Sequence, residues 1–426
     1  LSPEPGHGAL QDVRSVFLAF ALAYFLSAML RGVTATLAPV LSQQLGLSAS
    51  DLGFLAGSYF LGFAALQWPM GAALDRHDAR KVLGWLMLLA VVGCLVFAMS
   101  GNLWQLVLSR LLIGMGVAAC LMAPLTHFRL QLSATAQYRA NSWMLMTGSL
   151  GMMASTLPVH WAIPWIGWRG LFLLLAAALL ISTLLIFCLV PASRAPSHGQ
   201  RLAPARSSDG YAAVLRNPMF VRCLPLGVVV HGGLIAVQAL WAGPWLTRVA
   251  GYSPAAAAQG LFLINACVLA AFLVWGFLMP RISVRGWTPV RLVAWTVPVA
   301  LVILMAIIFR QVPAGPAWWA SWCVCCTAVS LLQPAVGQAL PRELAGRALS
   351  AFNLAIFLGV FLVQWGMGLL VDFALAFGMS EAGALRAAFA VLCGAGWWAW
   401  AWFISRAHLQ TGSQRRIAAN PFNNRP

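Results

Sequence analysis

Apolar runs of about 20 residues recur along the chain, each long enough to cross the ~30 Å hydrocarbon core of a bilayer as a helix. Twelve are found, at 15–39, 52–74, 82–100, 104–126, 140–163, 168–190, 222–247, 255–280, 288–309, 316–339, 348–374 and 383–405. Hydrocarbon offers no partner to a backbone N–H or C=O, so such a run must pair its own groups as a helix. Composition agrees: 61% of the 426 residues are hydrophobic and 8% are charged, against about 25% charged in a soluble domain. The predicted class is an all-α polytopic membrane protein with 12 transmembrane helices. No basic stretch with a cleavage pattern precedes the first run, so no removable signal peptide is expected.

The net charge of +17 would suit a nucleic-acid partner, but its placement points elsewhere. With the N-terminus inside, twenty of the 26 basic residues fall in segments on the inner side. Only Arg169, Arg248, Arg310 and Arg386 fall opposite. The positive-inside rule then puts both termini in the cytoplasm. Anionic lipid headgroups are the expected partner of this basic face, and no nucleic acid is expected. The nine cysteines all lie in or beside the runs, where free cysteine packs as a small apolar residue. The cluster Cys323, Cys325, Cys326 repeats no metal-ligand spacing, so no metal site and no cofactor are expected.

The longest hydrophilic stretch, rich in Pro, Ser, Gly and Arg, reads as a cytoplasmic linker between spans six and seven. The expected organisation is an N-terminal six-helix bundle over 1–190, a linker over 191–221, a C-terminal six-helix bundle over 222–408 and a cytoplasmic tail over 409–426. An internal repeat supports this division. A constant offset of 205 brings Pro39 onto Pro244, Gly46 onto Gly251, Ser48 onto Ser253, Gly71 onto Gly276, Arg76 onto Arg281 and Arg80 onto Arg285. Parallel six-span halves are an architecture of secondary transporters, with the substrate site near the midplane between them.

Two motifs make the resemblance specific. GAALDRHDARK at 71–81 resembles the loop between spans two and three of the major facilitator superfamily, Gly-x-x-x-Asp-Arg-x-Gly-Arg-Arg/Lys. Gly71, Asp75, Arg76 and Arg80 match, Lys81 continues the basic run, and Asp78 stands where glycine is usual. The resemblance implies a gate in which Asp75 accepts hydrogen bonds from a neighbouring helix N-terminus and from arginines. The second copy, at 276–286, keeps Gly276, Arg281 and Arg285 but has Pro280 in place of the aspartate, which implies a weaker lock there. LSRLLIGMGVAA at 108–119 resembles the superfamily's span-four pattern, in which the residue matching Arg110 is associated with energy coupling or helix positioning. Span five lacks the Gly-Pro pair of the superfamily's drug–proton antiporters. The expected fold is two pseudo-symmetric six-helix bundles.

Arg31 sits inside the first run, where a charge costs at least ~2.5–3.5 kcal/mol. At about 100° per residue, Tyr24, Ser27, Arg31 and Thr34 share a sector of about 80°. The resemblance implies that span one lines a central cavity, so that polar stripe is expected to face it. The spacing of eight residues from Arg31 to Pro39 is similar to that of the phosphate-binding arginine in the superfamily's organophosphate–phosphate antiporters. A guanidinium fork suits a carboxylate or phosphate. Those antiporters carry a second arginine in span seven, but the offset puts Ala236 there. Span seven offers His231, Gln238, Trp241 and Trp245 instead, a set that suits a monoanion with an organic body. Tyr59, Asn265, Gln333, Asn353 and Gln364 are further candidates; helix–helix hydrogen bonding is the commoner use of each.

None of the nine acidic residues lies mid-membrane, so the usual carboxylate proton carrier is not expected. His231 is the mid-membrane group that titrates near neutrality. The expected function is secondary active transport of a small organic anion by alternating access, coupled to a proton or a counter-anion. The expected setting is the inner membrane, as a monomer. A proton-driven drug or metabolite exporter is the first alternative, and a non-transporting sensor or assembly factor with the same fold is the second. No nucleophile–base pair or phosphate loop points to an enzyme.

Overall fold

The computed structural model describes residues 7–132, 134–192, 207–309 and 314–406. The tail expected at 409–426 and linker residues 193–206 lie outside them. Among the described residues, nine helices are long and apolar enough to cross a membrane. Span one is His7–Leu45 and span three is Ala79–Met99. Span six forms the later part of Leu157–Leu189, and span seven is Pro218–Val249. Spans eight, nine and ten are Pro254–Ser283, Pro289–Phe309 and Pro316–Gln338. Spans eleven and twelve are Arg342–Ala376 and Glu381–Ser405.

The other three predicted runs are helical but broken, and each break has the same cause. Span two divides into Ala49–Ala65 and Gln67–Arg76. Span four divides into Leu103–Gly116 and Met122–Gln131. Span five divides into Ala134–Ala154 and the first part of Leu157–Leu189, which Gly167, at φ +64°, separates from span six. A proline lacks the N–H that the carbonyl four residues earlier needs, and its ring crowds that carbonyl. Pro69, Pro124 and Pro158 stand four residues after Ala65, Cys120 and Ala154, at or beside the three breaks.

Spans one to six form one six-helix bundle and spans seven to twelve another, each packed mainly within itself except for span two, which packs most closely on span eleven. The offset repeat has a local structural counterpart. Gly46 and Gly251 both take positive φ, +64° and +70°, which a residue without Cβ adopts without penalty. Ser48 and Ser253, two residues on, both cap the next helix, accepting from the backbone N–H of Asp51 and Ala256. One turn is thus built twice from the same two residue types.

The halves meet along three seams, span one on span seven, span two on span eleven and span five on span eight. The second seam is backbone against backbone. A Cβ on Gly53 would run into the Gln364 carbonyl, one on Gly57 into Phe361, and one on Gly368 into Ala49 and Ser50. This is the small-residue contact by which membrane helices approach closely. At the end of the seam the Asp372 carboxylate of span eleven accepts the backbone N–H of Ala49 at 3.1 Å and of Ser50 at 2.8 Å. A residue of the second half therefore caps a helix of the first. This is the Ser48 end of the molecule; the Arg80 end lies opposite.

Candidate functional site

Span one turns its polar stripe inward between the halves. A cavity of about 150 Å³ is lined by Tyr24, Ser27, Arg31, Phe63 and Gln67 from the first half, and by Gln333, Asn353 and Phe357 from the second. Val117, Ala118, Leu121 and Met122 supply an apolar wall from the break in span four. Phe63 and Phe357 face each other across the halves with ring centroids 4.5 Å apart. A second cavity of about 200 Å³ lies toward the Ser48 end, mostly apolar, and contains none of the sequence-predicted site residues.

Among the described residues, no carboxylate acts on Arg31. Its polar neighbours are the hydroxyls of Tyr24 and Tyr59, and its Nε makes no hydrogen bond among the described residues. Tyr59 is fully buried and donates to the Ser27 carbonyl at 3.2 Å. The Arg110 guanidinium lies 4.9 Å from the centre of the Tyr59 ring, a cation–π contact in a dry setting. Arg110 is itself fully buried and donates to the carbonyl of Leu30, next to Arg31, at 2.8 Å. One tyrosine thus stands between two guanidiniums. Among the described residues the ion pairs are Arg80–Asp78 and Arg248–Glu381, both away from this cavity.

The remaining candidates divide. Gln333 and Asn353 line the Arg31 cavity, with Gln333 Nε2 donating to Asn353 Oδ1 at 3.4 Å. Asn353 Nδ2 donates across the halves to Gln67 Oε1 at 3.1 Å. Gln238 instead donates to Asn265 at 3.2 Å, and Asn265 donates to the Leu261 carbonyl at 2.9 Å. Those two amides tie span seven to span eight and do not line the Arg31 cavity. Trp241 is buried in span seven, while Trp245 donates to the Ala314 carbonyl at 3.1 Å. His231 is half-buried at the end of a π-helical turn, Leu226–His231, outside the lining of either cavity. Gln364 is fully buried at the span two–span eleven seam.

Gln67 is the lining residue that the sequence reading passes over. Its signal is the one used for the other candidates, a lone amide inside an apolar run. Phe63 and Phe357 carry no such signal, because aromatic residues are ordinary in any span.

Of the expected gating residues, Gly71, Asp75 and Arg76 lie on Gln67–Arg76, with side chains outside the described residues. Arg80 pairs with Asp78 at 3.7 Å and donates to the Val190 carbonyl, at the end of span six, at 3.3 Å. Asp78 caps span three through the Arg80 N–H at 3.1 Å, which gives the departure from glycine a physical role. Arg281 is exposed and bonds the Phe277 carbonyl of its own helix, and Arg285 is exposed in the turn beyond it.

Two helical bundles joined along several helix seams, with a polar cavity between them, restrict the families to consider. The model of the Major Facilitator Superfamily matches residues 20–364. The chain belongs to this superfamily. The 4-hydroxybenzoate transporter PcaK of Acinetobacter baylyi is 32% identical over 157 residues, covering 37% of this chain and 34% of that protein. The putative multidrug resistance protein MdtD of Salmonella paratyphi B is 26% identical over 173 residues, covering 40% and 36%. The matches thus span about a third of these relatives. Among solved structures, a bacterial homolog of the human lysosomal transporter Spinster, inward-facing and unoccupied, gives a TM-score of 0.74. It is 18% identical, with 92% of this chain and 96% of that one covered. A D-xylose–proton symporter gives a TM-score of 0.69 at 16% identity, with 91% and 97% covered. These neighbours share the major facilitator fold of this multi-pass membrane protein.

Proposed function

We propose that this superfamily member is a secondary active transporter of a small organic anion, with Arg31 holding the anionic group. The observation that carries the reading is the half-buried Arg31 guanidinium on the wall of an inter-half cavity, with the buried Arg110 guanidinium nearby and no carboxylate acting on it among the described residues. An uncompensated charge away from water is costly, and a bound anion supplies what the protein does not. Arg31 offers a fork of donors suited to a carboxylate. The apolar wall of Phe63, Phe357 and the span-four break suits an organic body. PcaK, by its name, transports an aromatic carboxylate, and that likeness supports the same class here.

On this reading the termini and the basic end are cytoplasmic, the membrane is the inner membrane of a bacterium, and a monomer suffices, since one chain encloses the cavity. The partners are the anionic substrate and the surrounding lipids. Transport is coupled to a proton or a counter-anion. Superfamily membership makes the protein a transporter rather than an enzyme. The MdtD likeness favours a second reading, export of an apolar drug or metabolite.

Counterflow in proteoliposomes, against carboxylates, phosphate esters and cationic drugs, decides between them. Carboxylates are expected to exchange and cationic drugs are not. Arg31→Gln is expected to weaken anion binding by about 1.5–3 kcal/mol, roughly 10- to 150-fold. Arg31→Lys should fall between, because a point charge replaces a fork. Normal affinity in well-folded Arg31→Gln would overturn the anion reading.

A further inference from the structure

We infer that the amide chain Gln333–Asn353–Gln67 is the second anchor of the substrate, selecting a hydroxyl, or another group that both donates and accepts, at the end away from the anionic group. This rests on the reading that Arg31 holds an anion, and it narrows the substrate to hydroxylated organic acids. The three amides form a directional relay through spans ten, eleven and two. Gln333 donates to Asn353, Asn353 donates to Gln67, and Gln67 Nε2 donates to the Phe63 carbonyl at 3.4 Å. All three side chains lie on the wall of the Arg31 cavity.

The Asn353–Gln67 link joins one half of the molecule to the other. Alternating access rocks the halves against each other, and on this inference the link between them opens during the cycle. Breaking it strands a donor, Asn353 Nδ2, and an acceptor, Gln67 Oε1, in a poorly hydrated place, which is penalised. A hydroxyl placed between them repairs both losses, because its oxygen accepts from Asn353 while its hydrogen donates to Gln67. Turning the amides over reverses the relay without changing the fit. An ether oxygen can only accept, and an unsubstituted carbon does neither.

Ordinary helix–helix hydrogen bonding looks different in this same protein. Gln238 and Asn265 join two helices of one half and do not line the Arg31 cavity. Gln333 and Asn353, by contrast, are half-exposed on the cavity wall and connect to the opposite half. Sites built to pair a substrate hydroxyl reject analogues that lack it, because their own polar groups are left unpaired.

The test compares matched acids on the purified full-length wild type. Benzoate, 4-methoxybenzoate and 4-hydroxybenzoate form an aromatic series; hexanoate, 6-methoxyhexanoate and 6-hydroxyhexanoate form an aliphatic one. The hydroxylated member is expected to bind about 2- to 10-fold more tightly than the other two in at least one series. Asn353→Leu and Gln67→Leu should abolish that preference, the hydroxylated acid binding no more tightly than the unsubstituted one, and Asn353→Ser should restore part of it. Arg31→Gln should weaken every member together. Equal affinities within both series of the wild type would overturn the second anchor while leaving the anion reading intact. So would a preference that survives in Asn353→Leu and Gln67→Leu. Failure of every acid in both series to bind would overturn both.

Discussion

Tyr59 is the residue on which half-buried Arg31 and fully buried Arg110 converge. Its ring receives Arg110 and its hydroxyl stands beside Arg31, so the three act on span one together. Arg110 reaches the Leu30 carbonyl rather than the cavity, and therefore fixes the backbone from which Arg31 projects. It also adds to the positive potential felt by an anion, little screened away from water. Arg110→Met is expected to lower affinity for a carboxylate several-fold while changing affinity for its neutral methyl ester little. Binding of the two ligands to the same purified variant checks this, and equal losses for both would make Arg110 purely structural. Arg31 is legible in the sequence because a charge within an apolar run requires an explanation. The Gln238–Asn265 pairing is not legible, because period and spacing describe one helix and say nothing of which neighbour answers it.

Among the elements, spans two and eleven form the seam with the most consequence for opening. Its glycines bring main chains together, and Asp372 closes its end by capping the opposite half. A carboxylate at a helix N-terminus is worth about 0.3–1 kcal/mol when exposed, and up to ~2 when partly buried. Asp372→Asn keeps the shape but removes the charge. It should shift the resting population toward opening at the Ser48 end, by a few-fold to about 30-fold. Paired spin labels on exposed residues of spans two and eleven at that end would report the shift as longer distances. Unchanged distances and an unchanged transport rate would leave Asp372 without a role in closure. The seam is partly written in Gly53 and Gly57, one helical turn apart, but their partners 300 residues away are not inferable from spacing. The helix breaks are written too, in Pro69, Pro124 and Pro158, although apolar runs alone read as continuous spans.

For the whole molecule, the charge asymmetry and the repeat bear on different things. The duplicated Gly46–Ser48 and Gly251–Ser253 turns show in coordinates what the offset of 205 shows in letters. Orientation rests on the distribution of basic residues alone. A reporter protein fused after residue 426 should be active only if it is a cytoplasmic type, and one inserted at Gly101, between spans three and four, only if it is a periplasmic type. The reverse pattern would invert the reading.

The two guanidiniums without a carboxylate also have an electrical consequence. When such a carrier changes the side on which its cavity opens, the voltage drop moves from one side of those fixed charges to the other. An empty cavity thus carries gating charge through its return step, each full charge being worth about 2.3 kcal/mol per 100 mV. An anion beside Arg31 cancels part of that charge and makes the loaded step less sensitive to voltage. The membrane potential would then govern chiefly how quickly the empty protein returns, while the loaded steps that exchange one anion for another respond to it less.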